Sequence, residues 1–95
     1  MNIKTIIQTY TLNLTYLYLG LINLFERKNY DIAEKYFKKV LQIEPENTQA
    51  LIKLGHINII KKNYNEARKY LLQVKLIDNT LTDEVNKLLQ HFPNL

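Results

Sequence analysis

No cysteine, serine or tryptophan occurs among the 95 residues, and glycine and proline appear only twice each. Without cysteine there is no disulfide framework, no thiolate nucleophile and no cysteine-ligated zinc or iron–sulfur site. So few glycines and prolines rule out a turn-dense β-sandwich and a glycine-rich phosphate loop. A chain this short buries only ~60–65% of the surface its unfolded form exposes, which leaves little room for a deep catalytic pocket. The composition, 46% hydrophobic and 23% charged, is that of one small folded domain and not of a disordered tail. A small helical protein is the class that remains.

Charge of one sign is only mildly in excess: 13 Lys+Arg against 9 Asp+Glu, a net +4. Asn, Ile, Lys and Tyr supply 40 of the 95 residues, a bias that an AT-rich coding sequence produces without selection. The basic balance is therefore a weak argument for a nucleic-acid partner. Thr5 to Phe25 is a charge-free run of 21 residues, long enough to cross a bilayer. It contains Gln8, Asn13, Asn23 and four threonines, polar groups that lipid satisfies poorly, so a buried helix is the expected reading. No compact apolar segment followed by a small-residue cleavage site marks a signal peptide.

Catalytic constellations are thin. His56 and His91 lie 35 residues apart, and neither has a carboxylate three or four residues away to complete a helical metal pair. Glu44 and Glu46 flank Pro45 in a turn, where solvation accounts for them. No Walker loop, dinucleotide fingerprint or nucleophile elbow occurs. Neither enzymatic activity, nor a metal, nor a cofactor is expected.

The informative feature is internal repetition. Residues 19–24 (Leu-Gly-Leu-Ile-Asn-Leu) align with 54–59 (Leu-Gly-His-Ile-Asn-Ile) at an offset of 35, and residues 29–36 align with 63–70 at an offset of 34. Val40 with Val74 and Ile43 with Ile77 continue the match. The one-residue slip falls between the two blocks, in a turn, where length changes are tolerated best. Each unit reads as two helices: Tyr16, Leu19 and Gly20, or Leu51, Leu54 and Gly55, mark the first. Tyr30, Ala33, Phe37, Val40 and Leu41, or Tyr64, Ala67, Leu71 and Val74, mark the second. Asn29 and Asn63 stand as N-caps, Asn63 with Glu66 at capping-box spacing. Small residues Gly20, Ala33, Gly55 and Ala67 permit close antiparallel packing.

This pattern resembles the tetratricopeptide repeat, whose signature is W-x2-L-G-x2-Y…A-x3-F…P. The first unit offers Tyr16, Leu19, Gly20, Asn23, Ala33, Phe37 and Pro45; the second offers Leu51, Leu54, Gly55, Asn58, Ala67, Leu71 and Asn79. Tryptophan is missing, and asparagine replaces the usual aromatic of the first helix. The resemblance implies an all-α fold, two helix-turn-helix repeats and a C-terminal capping helix, about five helices in all. The expected division is an N-terminal helical extension over 1–12, repeats over 13–46 and 47–81, and a capping helix with tail over 82–95. Val85, Leu88, Leu89 and Phe92 continue the first-helix register, so Thr82–Phe92 is expected to cap the last repeat, with Thr82 as N-cap and Pro93 as stop. Ile3, Ile6, Ile7 and Tyr10 have the spacing of a helix packing on the first unit, although Leu12, Leu14, Tyr16 and Tyr18 also alternate as in a strand.

The resemblance further implies that partners bind on the concave side, at first-helix positions turned away from the second helix. These are Leu14, Leu17, Leu21, Leu24, Gln49, Ile52, His56 and Ile59, six of them aliphatic. The chaperone-binding members clamp a terminal carboxylate with Lys and Asn at such places. Here Leu17, Leu21 and Lys53 stand there instead, which disfavours that activity. An open aliphatic groove is a patch that monomers rarely tolerate. A protein partner that inserts an apolar helix or peptide is therefore expected, with a homodimer as competitor. Lys35, Lys38, Lys39, Arg68 and Lys69 belong to the outer second helices, where a solvated face is the default. The expected function is a non-catalytic adaptor or assembly scaffold inside the cell, in cytoplasm or organelle matrix. A membrane-associated assembly factor is the first alternative, and a helical nucleic-acid-binding protein the second. The former is suggested by a weaker resemblance to small plastid-encoded repeat proteins that help assemble photosystem I, which adds the plastid stroma to the compartments and membrane contact to the partners.

Overall fold

The computed structural model describes residues 2–92 and is all-α. Five helices, α1 (Ile3–Phe25), α2 (Tyr30–Ile43), α3 (Thr48–Ile60), α4 (Tyr64–Ile77) and α5 (Thr82–Leu89), are joined by short turns, with a 3-10 turn at Asn79–Leu81 before the last. They pack pairwise, α1 on α2 and α3 on α4, with α5 against α4. The chain divides after Pro45 into two compact units. Pro93, expected to stop the last helix, lies outside the described residues.

In the first unit, Ala33, Phe37 and Val40 of α2 are completely buried. Phe37 lies directly over Gly20: a Cβ there would stand 2.7 Å from the ring. Glycine is thus required by contact, since any side chain would hold α1 and α2 apart. The second unit repeats the arrangement with Ala67, Leu71 and Val74 buried on α4, and a Cβ on Gly55 would meet Leu71 at 2.6 Å. Leu51, Leu54 and Ile57 supply the α3 side of that core.

The two asparagines that replace the usual aromatic do the same work in both units. Asn23 and Asn58 are buried, and each Nδ2 donates to the carbonyl four residues back, Leu19 O and Leu54 O, at 2.8 Å. Each backbone carbonyl in turn accepts the N–H of the residue leading into the second helix, Asn29 or Asn63, at 2.8 Å. The turn is therefore tied at both ends despite its different length. In the first unit Arg27 N–H reaches back five residues to Ile22 O, absorbing the extra residue. Lys28 and Lys62 adopt left-handed backbone (φ 53° and 64°) at equivalent places, reversing the chain.

Caps follow the sequence only in part. Asn2, Asn29 and Asn47 accept from the backbone N–H three residues on, whereas Asn63 makes no side-chain cap bond. Thr82 is not a cap: its backbone is helical and its hydroxyl donates to Asn79 O. Asp78 instead opens the 3-10 turn, accepting from both the N–H and the hydroxyl of Thr80. Val85 is buried and Leu88 and Leu89 are half-buried, so the apolar face of α5 turns inward.

The first helix is the longest, at 23 residues against 14 for α2. Its first ten residues do not pack as a covered extension. Ile3, Ile6, Ile7 and Tyr10 are all exposed, because α2 ends at Ile43 and offers them only its tip. The strand alternative is not realised. Thr9, Thr11 and Thr15 each donate a hydroxyl hydrogen bond to the carbonyl four residues earlier, which satisfies them within the helix.

Candidate protein-binding surface

Of the α1 positions singled out by the repeat, Leu14 is exposed, Leu21 is half-buried, and Leu17 and Leu24 are buried. Of those on α3, Gln49 is exposed, His56 and Ile59 are half-buried, and Ile52 is buried. The surface these eight residues offer is thus carried by Leu14 and Leu21 on the first unit and by Gln49, His56 and Ile59 on the second.

The His56 pKa lies below its ordinary 6.5, first because burial disfavours the imidazolium, then because Lys53 and His91 add like charge. The imidazole is neutral at physiological pH and presents a polar ring without charge. Sequence reasoning missed the proximity of His56 and His91, yet the signal existed: the two are 35 apart, the same offset that relates the first helices of the repeats.

The cations of α2 and α4 divide between carboxylates of their own helices and aromatic rings outside them. Lys38 pairs with Glu34 at 3.6 Å and Lys69 with Glu66 at 3.2 Å. Lys39 Nζ sits 5.3 Å from the centre of the Tyr16 ring, which in turn lies 6.2 Å from Tyr36. Arg68 lies 5.1 Å over Phe92, whose ring is 5.4 Å from Tyr64, so the end of α5 is held to the start of α4. These aromatic anchors are not legible in the sequence, because they join residues whose separation depends on helix packing.

A small hollow at the tip of α2 is lined by Ile6, Thr9, Tyr10, Ile43 and Glu44. Beside it the Asn13 Nδ2 donates to the Glu44 carboxylate, while the Asn13 Oδ1 is buried without a partner. Among the described residues no group of three or more His, Asp or Glu could hold a metal ion. Among them, too, no helix is long and apolar enough to cross a membrane. In α1 the reason is its interspersed Gln8, Asn13, Asn23 and threonines.

Searches of curated proteins and of solved structures returned no match. A family model described as the tetratricopeptide repeat matches residues 24–91, well over half of the chain. That match is to the repeat in general and lends no support to a role in photosystem I assembly. With the paired helices, the glycine-to-core contacts and the repeated register already described, the chain belongs to the tetratricopeptide repeat family.

Proposed function

We propose that this protein is a non-catalytic adaptor or assembly scaffold that binds an apolar helix or peptide on the first-helix faces of its repeats. Domains of this family are generally protein–protein interaction modules. The observation that carries the finer reading is the aliphatic surface at family binding positions: Leu14 stays exposed, and Leu21 and Ile59 half-buried, while Ala33, Phe37, Leu54, Ala67 and Leu71 are completely buried. The ligand chemistry follows from what the faces contain. Aliphatic side chains with a neutral imidazole and one amide reward an apolar helix face with few polar groups, and offer a terminal carboxylate no Lys–Asn clamp.

A displayed library of helical peptides, selected on the full-length chain, tests this. Enriched sequences should carry aliphatic residues at i, i+3, i+4 and i+7, and Leu21→Glu or Ile59→Glu should weaken them at least ~10-fold with helicity unchanged. Enrichment of acidic C-terminal peptides, or binding unaffected by either substitution, would refute the proposal.

A further inference from the structure

The most exposed apolar residues of α1 gather on one side, whereas Ile6, Leu12 and Ile22, exposed by 39%, 46% and 37%, lie outside that side. Ile3, Ile7, Tyr10, Leu14, Tyr18 and Phe25 are each more than half exposed, and at 100° per residue they fall in a strip about 80° wide. Half-buried Leu21 lies in the same strip. The strip runs the whole helix, about 33 Å at 1.5 Å per residue, and Lys4 is the one charged residue in α1.

We infer that this strip is the seam of a homodimer in which α1 of one copy lies antiparallel against α1 of a second, with Leu14 on the two-fold axis. The inference rests on the proposed docking of apolar helices on first-helix faces and names the helix. Four features of α1 select a second copy. The strip is symmetric about Leu14: reversing the helix sets Ile3 against Phe25, Ile7 against Leu21 and Tyr10 against Tyr18, so the surface complements itself. The area falls at the low end of what a stable interface uses: side chains of these sizes and exposures offer at most about 700 Å² per copy, against about 600–1,000 Å² per partner. Polar groups beside the seam need nothing from a partner, since Thr11 and Thr15 already donate their hydroxyls to their own helix. Charge is complementary at the ends. Lys4 of one copy comes level with Leu24 of the other, within a turn of exposed Glu26, and the two residues lie about 40° apart around the helix, on one flank of the strip.

Because Leu14 meets its own symmetry mate, charge there gives a test that a merely structural role would not pass. Sedimentation velocity on the full chain, from about 1 to about 500 µM, should show the mass doubling within that range. Leu14→Glu alone and Leu14→Lys alone should each weaken the dimer at least ~10-fold, and an equimolar mixture of the two should recover it. Circular dichroism should be unchanged, since Leu14 is exposed. In a chain free of cysteine, Tyr10→Cys and Tyr18→Cys proteins mixed under oxidation should form the mixed disulfide in preference to either homodimer; like-with-like crosslinking would overturn the antiparallel register. A mass that stays monomeric throughout overturns the inference. So does flotation with phosphatidylcholine–phosphatidylglycerol vesicles that Leu14→Glu abolishes in a chain that never dimerises. Selected apolar peptides binding a strictly monomeric chain would leave the adaptor reading standing while the dimer falls.

Discussion

Replacing Gly20 with alanine sets two opposed effects against each other, and the structure decides the sign. In a helix interior alanine is favoured over glycine by about 1 kcal/mol, because it loses less backbone freedom on folding. Against this, the new Cβ would stand 2.7, 2.8 and 2.9 Å from three atoms of the Phe37 ring. Carbon atoms rest at about 3.5–4.0 Å, so the ring must retreat by most of an ångström. Phe37 is fully buried and planar, with nowhere to turn. Overpacking of this kind costs about 1–3 kcal/mol, leaving a net loss of about 1 kcal/mol and a melting midpoint lower by about 4–8 °C. Phe37→Leu alone should also destabilise, by about 1–2 kcal/mol through lost burial. Combined, the two should be less harmful than their sum by about 1 kcal/mol, because the smaller side chain admits the methyl. Urea denaturation of the four proteins measures this. A Gly20→Ala variant more stable than its parent, or strict additivity in the double variant, would refute the close-packing argument.

Further expectations concern other parts of the molecule. Asn47→Ala should cost about 1 kcal/mol, since it removes a 3.0 Å bond to Ala50 N–H, whereas Asn63→Ala should cost a few tenths at most because no cap bond is lost; paired thermal melts test the difference. Val85→Ala should lower stability by about 1–2 kcal/mol, as its side chain is wholly buried against the last repeat, and denaturant midpoints report it. For His56 the folded pKa lies below the unfolded one, so the unfolded chain takes up a proton more readily. Its contribution is thus intact above pH 6.5 and is lost as pH falls from there through the folded pKa. Melting midpoints should fall over that window, and His56→Gln should flatten the fall; an equal slope in both proteins would contradict it.

Much of the architecture was legible because it is written twice. Gly20 with Phe37 and Gly55 with Leu71 recur at nearly fixed offsets, and small-to-large pairing of that kind has one physical reading, two helices in close contact. The periodicity of α2 and α4 likewise named Ala33, Phe37, Val40, Ala67, Leu71 and Val74, all of which are fully buried. The binding positions were legible only as a register. In a helix as uniformly apolar as α1, position alone does not distinguish Leu17 and Leu24, which are buried, from Leu14, which is not. Spacing also said that Ile3, Ile7 and Tyr10 share a face without saying whether anything lies opposite; that depended on where α2 stops. At the start of α5, Thr82 has cap chemistry in the sequence, but the 3-10 turn that Asp78 opens precedes the helix, and Leu81 stands at its cap with no side-chain bond.

The asparagine ties in the two turns have a practical meaning for remodelling. Since Asn23 and Asn58 each secure the end of one rod to the beginning of the next, the loop between can gain or lose a residue, as Arg27 already shows, without shifting the phase of the second rod. Foreign peptides spliced there would leave each pair's alignment unaltered, whereas an insertion N-terminal to either asparagine would carry the tie out of reach of its glycine layer.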